Sequence, residues 1–247
     1  MDKHAESNFS LVETQVNREG NETEVLFARL RDPAIKAQMA ELAYQNAQDF
    51  YLKNNTKIFP FTRDEIAADI ERRIAEAERV TNISFSSDEP DDRTMHLNYC
   101  FPGTKERLSA GQKSIIEAHE KGHNVRYYNW DFFRDRFAAG FDPSMVVFGE
   151  KEYAEERTSK PWATFDEAKE SFFRYLFSGN ETAERMSQLK NYFGMKGSEE
   201  FTREHLEYAR IHYVADTGTD NRMSPFLLAV IPETEDAFLR LINSMGI

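Results

Sequence analysis

The stretch His119-Glu120-Lys121-Gly122-His123 constrains this chain more than any other. The spacing His-Glu-x-x-His places both imidazoles on one face of a helix, a single turn apart, where they can reach the same metal ion. Glu120 follows the first histidine and can act as a general base toward a water molecule on that metal. The motif therefore predicts a metal site suited to hydrolysis, provided that the stretch is helical.

The residues around the motif favour a helix. Ser109 and Gln112 have the spacing of a capping box, which predicts a helix from Ala110 to about Val125. Glycine inside a helix costs about 1 kcal/mol relative to alanine. Gly122 therefore indicates that another element, or a substrate, approaches the backbone closely there. Lys121 is four residues after Glu117, a spacing that favours an ion pair directed away from His119.

The chain before the motif changes character twice. Residues 1–23 are polar and show no sustained period, which predicts a flexible arm. Residues 24–81 show helical periodicity, including a capping box at Thr62 and Glu65, and form a predicted N-terminal helical subdomain. Residues 82–86 and 94–99 alternate between apolar and polar side chains, which predicts two strands paired as an antiparallel hairpin. Residues 82–247 are the predicted metal-binding domain.

The second half of the chain is predicted to be mainly helical. A capping box opens a helix at Thr164, and Asn180 is expected to cap a further helix that begins at Glu181 and ends before Gly194. Thr202 opens another helix. Residues 225–231 fit either a buried strand or a short helix, and residues 233–245 are predicted to form a closing helix.

Composition excludes several classes of partner. The chain has 247 residues and a formal net charge of −12, which argues against general nucleic-acid binding and against an anionic membrane surface. Cys100 is the only cysteine, so no internal disulfide is possible. No secretory signal is evident at Met1, and the apolar runs are too short to span a bilayer. We therefore expect a cytoplasmic protein without a membrane span.

The motif resembles that of the zincin metallopeptidases. In the gluzincin branch of that family, a glutamate on a later helix is the third zinc ligand, in the pattern Asn-Glu-x-x-x-Asp. Asn180-Glu181-x-x-x-Arg185 is similar to it. The resemblance implies Glu181 as the third ligand, with Glu184 as the second choice. An acid in the first turn of a helix also serves the helix dipole, which is the alternative for either residue. Arg185 departs from the family, because thermolysin-like enzymes have an aspartate there that orients a ligand histidine.

The resemblance covers about residues 115–125 and 180–185, and it implies both a fold and an activity. The implied fold is α+β: a mainly helical zincin-like domain with a small antiparallel sheet preceding the motif helix, plus an N-terminal helical layer. The implied activity is zinc-dependent hydrolysis of peptide bonds. Zn²⁺ held by His119, His123 and Glu181 would activate a water molecule, and Glu120 would take its proton.

A gluzincin also uses a tyrosine or histidine, downstream of the third ligand, to stabilise the oxyanion. Three residues of the Thr202 helix are candidates for this role: His205, Tyr208 and His212. For each of the two histidines, an ordinary surface or core position is the alternative.

Two other readings of the motif stay open at this point. A non-catalytic helical interaction or regulatory protein could carry an accidental or purely structural His-Glu-x-x-His. A zinc hydrolase acting on a non-peptide amide would use the same residues as a peptidase. The substrate is therefore expected to be a peptide or protein without further definition, and the oligomeric state is left open.

Overall fold

The computed structural model describes residues 9–54, 59–80, 83–84, 95–96, 108–126, 136–220 and 222–247. Helices dominate these residues. Their bounds are α1 Ser10–Glu13, α2 Glu22–Leu30, α3 Pro33–Lys53, α4 Arg63–Arg79, α5 Ala110–Val125, α6 Glu150–Ser159, α7 Phe165–Leu176, α8 Gly179–Tyr192, α9 Arg203–Thr217, α10 Met223–Leu228 and α11 Glu235–Ile242. Two single-turn 3-10 helices, Ala138–Gly140 and Pro143–Met145, precede α6.

The predicted α+β class with a small antiparallel sheet is wrong, because the fold is helical. The extended residues in the described part of the chain are Ile83–Ser84 (β1) and Met95–His96 (β2), which pair in parallel over two residues. An alternating pattern favours extended backbone but does not fix the direction in which two segments pair. The rest of the two predicted strands lies outside the described residues.

The motif helix α5 begins and ends where the sequence predicted. Its capping box is formed: the Gln112 amide donates to Ser109 Oγ at 3.2 Å, and the Ser109 amide donates to Gln112 Oε1 at 2.8 Å. The capping boxes at Thr62 and Thr164 are confirmed as well. Helix α5 packs against α2, α4 and α8, which places the two motif histidines inside the molecule rather than on its surface.

Helix α8 lies at the centre of the fold, although its sequence is polar. Every residue from Glu181 to Tyr192 is buried. The helix begins at Gly179 after Ser178, so the prediction that Asn180 caps it is wrong; the Asn180 side chain instead accepts a hydrogen bond from Ser178 Oγ at 3.0 Å. A buried polar group needs a partner. The position of α8 therefore depends on matching polar groups from its neighbours.

Arg29 of α2 supplies several of these partners. Its guanidinium is fully buried and donates to Ser187 Oγ and Asn191 Oδ1 at 2.7 Å each, and to the carbonyls of Ser187 and Met195 at 3.1 Å each. Next to this face of α8, Gln188 donates to the Tyr213 hydroxyl. These contacts fix the rotation of α8 about its axis, and that rotation decides where Glu181 points.

One hydrophobic core runs through the described residues, from Val12 to Ile247. Val12 and Val16, which belong to the predicted arm, are buried in it. The closing helix α11 is present and buries Phe238 and Ile242, and residues 223–228 are helical. The division of the chain at residues 23 and 81 stays a prediction. In the described part of the chain, no helix is both long enough and apolar enough to cross a membrane.

A buried carboxyl on α2 makes stability depend on pH. Burial raises the pKa of Glu22 from 4.5 to about 8, against the opposing charge of Arg29. Between these values the folded state holds its proton more tightly than the unfolded state, so the free energy of unfolding falls as the pH rises. Glu22→Gln stays neutral and is expected to remove this decline. Urea unfolding at about pH 5 and about pH 8.5 measures it, with a gain over wild type at the higher pH.

The exposed Glu24 on the same helix provides the control, because Glu24→Gln is expected to leave the decline unchanged. A Glu22→Gln variant whose stability still falls with pH as steeply as that of wild type would contradict the assignment.

Candidate metal centre

The two motif histidines face each other on α5. Their Nε2 atoms are 3.2 Å apart, and their rings meet edge to face with centroids 4.7 Å apart. The His119 side chain is 5% exposed and that of His123 is 18% exposed. The prediction that the two imidazoles share one face of the helix is therefore confirmed, since both Nε2 atoms point to the same place.

Glu181 joins them from α8. Its Oε2 lies 3.3 Å from His119 Nε2, and its Oε1 lies 3.4 Å from His123 Nε2. The carboxylate thus presents one oxygen to each histidine. These three side chains form a buried group that could hold a metal ion.

The donor atoms fit a tetrahedral metal ion. Nitrogen and oxygen ligands lie about 2.0–2.2 Å from zinc, so two ligands of one tetrahedral centre are roughly 3.3–3.5 Å apart. The two histidine Nε2 atoms are 3.2 Å apart, and each lies 3.3–3.4 Å from its nearer oxygen of the Glu181 carboxylate, so small rotations of the carboxylate bring one oxygen within ligand spacing of both. Two imidazole nitrogens and a carboxylate oxygen are also a donor set that zinc accepts. The Nδ1 atoms of both histidines are buried without a hydrogen-bond partner in the described part of the chain.

Charge at this site is balanced by close contacts. Burial acts to raise the pKa of Glu181, but hydrogen bonds to His119 and His123 and the charge of Arg185 outweigh it and hold that pKa well below its usual range. Burial likewise acts to lower the pKa of His123, yet the hydrogen bond to Glu181 and the charges of Glu184, Glu181 and Glu120 leave it raised. Glu181 is therefore ionised at neutral pH, which is the form of a carboxylate that binds a metal ion.

No known protein family, curated protein or solved structure matches this chain. The resemblance to the zincin peptidases therefore rests on the motif and on the spacing to Glu181. It stays a prediction, and the support for a metal site comes from the geometry of His119, His123 and Glu181 alone.

Glu184 does not join the metal-binding group and instead forms a buried ion pair. Arg126, which directly follows α5, donates through Nη1 to both of its carboxylate oxygens, at 2.7 and 2.9 Å. The carboxylate lies against the backbone of α5 at Gly122, where an added Cβ would be 1.8 Å from Glu184 Oε2. This confirms the predicted close approach at Gly122. It also shows how α8 comes near enough for Glu181 to reach the two histidines.

Removing the charge of Glu184 is expected to destabilise the fold. Glu184→Gln leaves the Arg126 guanidinium buried beside a neutral amide, and breaking a buried pair in this way costs roughly 3 kcal/mol or more. Chemical denaturation measures the loss. Glu170→Gln is the matched control, because its pair with Arg174 is exposed and is worth no more than about 1 kcal/mol. An equal effect of the two substitutions would contradict a role for Glu184 in holding α8 against α5.

Arg185 and Tyr175 lie beside Glu181 and shape its surroundings, which the sequence did not indicate. Arg185 Nη2 donates to Glu181 Oε2 at 3.1 Å, so the residue that departs from the gluzincin pattern holds the carboxylate of Glu181 itself. Tyr175 at the end of α7 lies within the field of Glu181; burial, with the negative charge of Glu181, raises its pKa to about 12, so its hydroxyl keeps its proton. The only signal for Tyr175 in the sequence is its place six residues before Glu181.

The three residues predicted to stabilise the oxyanion lie at the other end of α8. The His205 ring packs on Phe193, its centroid 4.8 Å away, and its nitrogens contact Thr202 and Gln15. Tyr208 lies 6.0 Å from Phe193 and stacks on His212. Phe193 follows Glu181 by twelve residues, about 18 Å along the helix. The structure therefore does not bring His205, Tyr208 or His212 to the metal-binding group.

The remaining motif residues lie as their spacing suggests. Lys121 is buried and pairs with Glu117 at 2.8 Å, as predicted. Its ammonium group also lies 5.7 Å from the ring of Phe27 on α2, away from the histidines. Glu120 is partly exposed, and its charge acts on His123. Glu120 is thus next to the site without belonging to the group of three donors.

Proposed function

We propose that this protein is a zinc-dependent hydrolase that cleaves peptide bonds. The observation that carries the proposal is the meeting of two imidazole nitrogens and one carboxylate within 3.2–3.4 Å of each other, with Glu120 beside them. A structural zinc site is closed by a fourth protein ligand, whereas a catalytic one keeps a position open. The group found among the described residues has three ligands.

The site residues divide the work as follows. His119, His123 and Glu181 would hold the zinc ion. Zinc bound there supplies Lewis acidity, which favours ionisation of water and polarises a carbonyl group. Glu120 accepts the proton of the attacking water and delivers it to the nitrogen of the leaving amine. This assignment requires that Glu120 remain outside the ligand set, as its position suggests.

The surroundings of Glu181 keep its carboxylate in place for this purpose. Arg185 donates a hydrogen bond to it and is itself almost fully buried. Outer contacts of this kind fix the orientation of a metal ligand. They also keep Glu181 ionised, and an ionised carboxylate is the form that binds a metal ion.

Peptide hydrolysis by the metal-restored protein tests the proposal. Purified protein is stripped with a chelator, and one portion is reloaded with zinc. Both portions are then incubated with a peptide library whose products are identified by mass spectrometry. We expect new peptide termini only in the zinc-loaded portion. Absence of cleavage by a protein shown to hold zinc would contradict the peptidase assignment and would favour a structural metal site in an interaction protein.

A further inference from the structure

Arg222 is a cationic residue beside Tyr175 that neither the motif nor the ligand set includes. It precedes α10 and has a left-handed backbone conformation, with φ 61° and ψ 18°. Among the described residues it is the only non-glycine residue with a positive φ. A non-glycine residue in that region is strained, and residues with such backbone strain cluster at active sites and ligand-binding positions.

The guanidinium of Arg222 lies over the ring of Tyr175. Its central carbon is 4.7 Å from the centroid of that ring and 5.5 Å from the ring of Phe172. The guanidinium of Arg185 lies 6.0 Å from the centroid of the same ring and donates to Glu181 Oε2 at 3.1 Å. Arg222 and Arg185 therefore contact one tyrosine ring, and Arg185 holds a candidate ligand of the metal centre.

Arg222 also retains the capacity to bind a further group. Its side chain is 32% exposed, and among the described residues it forms one ion pair, with Glu156, at the long distance of 3.5 Å. A guanidinium has five N–H donors in a planar fork that matches a carboxylate. The other cation beside Tyr175 is Arg185, which is buried and donates to Glu181. Of these two, Arg222 is the one that a ligand can reach.

We propose that Arg222 binds a carboxylate of the substrate, and that the substrate is therefore a peptide bearing a carboxylate close to the bond that is cleaved. The carboxylate belongs either to a free C-terminus or to an acidic side chain. This inference rests on the proposed function, because it places the substrate on the metal centre. A chain of net charge −12 repels an anionic ligand as a whole, so an acidic substrate needs a local cation of this kind.

Binding of a matched pair of small chelators tests the proposal without relying on activity. The probes are the monohydroxamate of glutaric acid, which ends in a carboxylate, and the corresponding amide. Their affinities for zinc-loaded protein are measured by calorimetry. We expect the acid to bind about tenfold more tightly than the amide, as for a charge-assisted contact that is partly exposed. In Arg222→Gln this preference is expected to vanish while the affinity for the amide stays unchanged.

Two further variants sharpen the result. Arg222→Lys keeps the charge but loses the planar fork, so a reduced preference for the acid is expected. Arg174→Gln removes an exposed arginine next to Tyr175 in the sequence and is expected to keep the full preference. Equal binding of the acid and the amide to wild type, or a preference that survives in Arg222→Gln, would overturn the inference while the metal centre stands. Failure of both probes to bind would overturn the open metal site and the inference together.

Peptide probes then separate the two sources of the carboxylate. Penta-alanine with a free C-terminus, its C-terminal amide, and an amidated peptide with glutamate at the centre are compared for binding to zinc-loaded Glu120→Gln. Tighter binding of the free acid identifies a C-terminal carboxylate, and tighter binding of the glutamate peptide identifies an acidic side chain. Loss of either preference in Glu120→Gln/Arg222→Gln assigns it to Arg222. Equal binding of all three peptides contradicts recognition of a carboxylate.

Discussion

The Glu120→Gln variant is expected to hold zinc as wild type does and to cleave peptides about 10²–10⁴-fold more slowly. Glutamine has nearly the same shape as glutamate but cannot accept the proton of the attacking water. Because His119, His123 and Glu181 supply the donor atoms, the substitution leaves the ligand set intact. Initial rates on a peptide found in the library screen, together with zinc content, measure both effects on the same preparation.

The control for this prediction is Glu207→Gln, which changes an exposed glutamate on α9 and is expected to alter neither rate nor metal content. A Glu120→Gln variant as active as wild type would remove Glu120 from the mechanism. Loss of zinc from the variant would instead make Glu120 part of the ligand set and would contradict the division of roles proposed here.

The Gly122→Ala variant is expected to lose roughly 3 kcal/mol or more of stability, because the new methyl group occupies the place of the Glu184 carboxylate. The added Cβ would lie 1.8 Å from Oε2 and 2.5 Å from Cδ of that residue. Glu184 would have to move and abandon its ion pair with Arg126, or α8 would have to move away from α5. Movement of α8 would also separate Glu181 from the histidines, so the affinity for zinc would fall with the stability.

Gly111 supplies the matched control within the same helix. An added Cβ at Gly111 meets no atom within 4 Å, so Gly111→Ala is expected to be neutral or slightly stabilising through the helix propensity of alanine. Denaturant unfolding and zinc titration of the two variants provide the comparison. If Gly122→Ala proved as stable as Gly111→Ala and bound zinc equally well, the close packing of α8 on α5 would not hold.

Local patterns predicted the motif helix because its signals are short in range. The capping box at Ser109 fixes where α5 begins, and the spacing of His119 and His123 fixes their common face. The glycine at position 122 even indicated a close neighbour, since a glycine inside a helix has a cost that some contact must offset. These inferences need no knowledge of the rest of the fold.

Local sequence patterns could not predict that α8 is buried. Its sequence contains glutamate, arginine, lysine, glutamine and asparagine, which on composition belong at a surface. It is buried because distant residues provide partners, such as Arg29 for Asn191 and Arg126 for Glu184. Pairings over such distances in sequence leave no periodic signal. The position of Tyr175 beside Glu181 is hidden for the same reason.

Two other expectations differ from the structure, and each has its own physical reason. Alternation of polar and apolar residues predicted an antiparallel hairpin, but the described part of it pairs in parallel over only two residues. The placement of His205 relied on its being downstream of Glu181, as the gluzincin resemblance implies. The length of α8 carries the chain to the opposite end of the helix before His205 is reached.

Zinc content per chain, measured by mass spectrometry on wild type, His119→Ala and His205→Ala, tests the central claim most directly. His119 belongs to the group of three donors, while His205 is a buried histidine at the far end of α8. The account predicts about one zinc ion per chain in wild type and in His205→Ala, and none in His119→Ala. Absence of zinc from wild type even after zinc is added, or its full retention by His119→Ala, would contradict it.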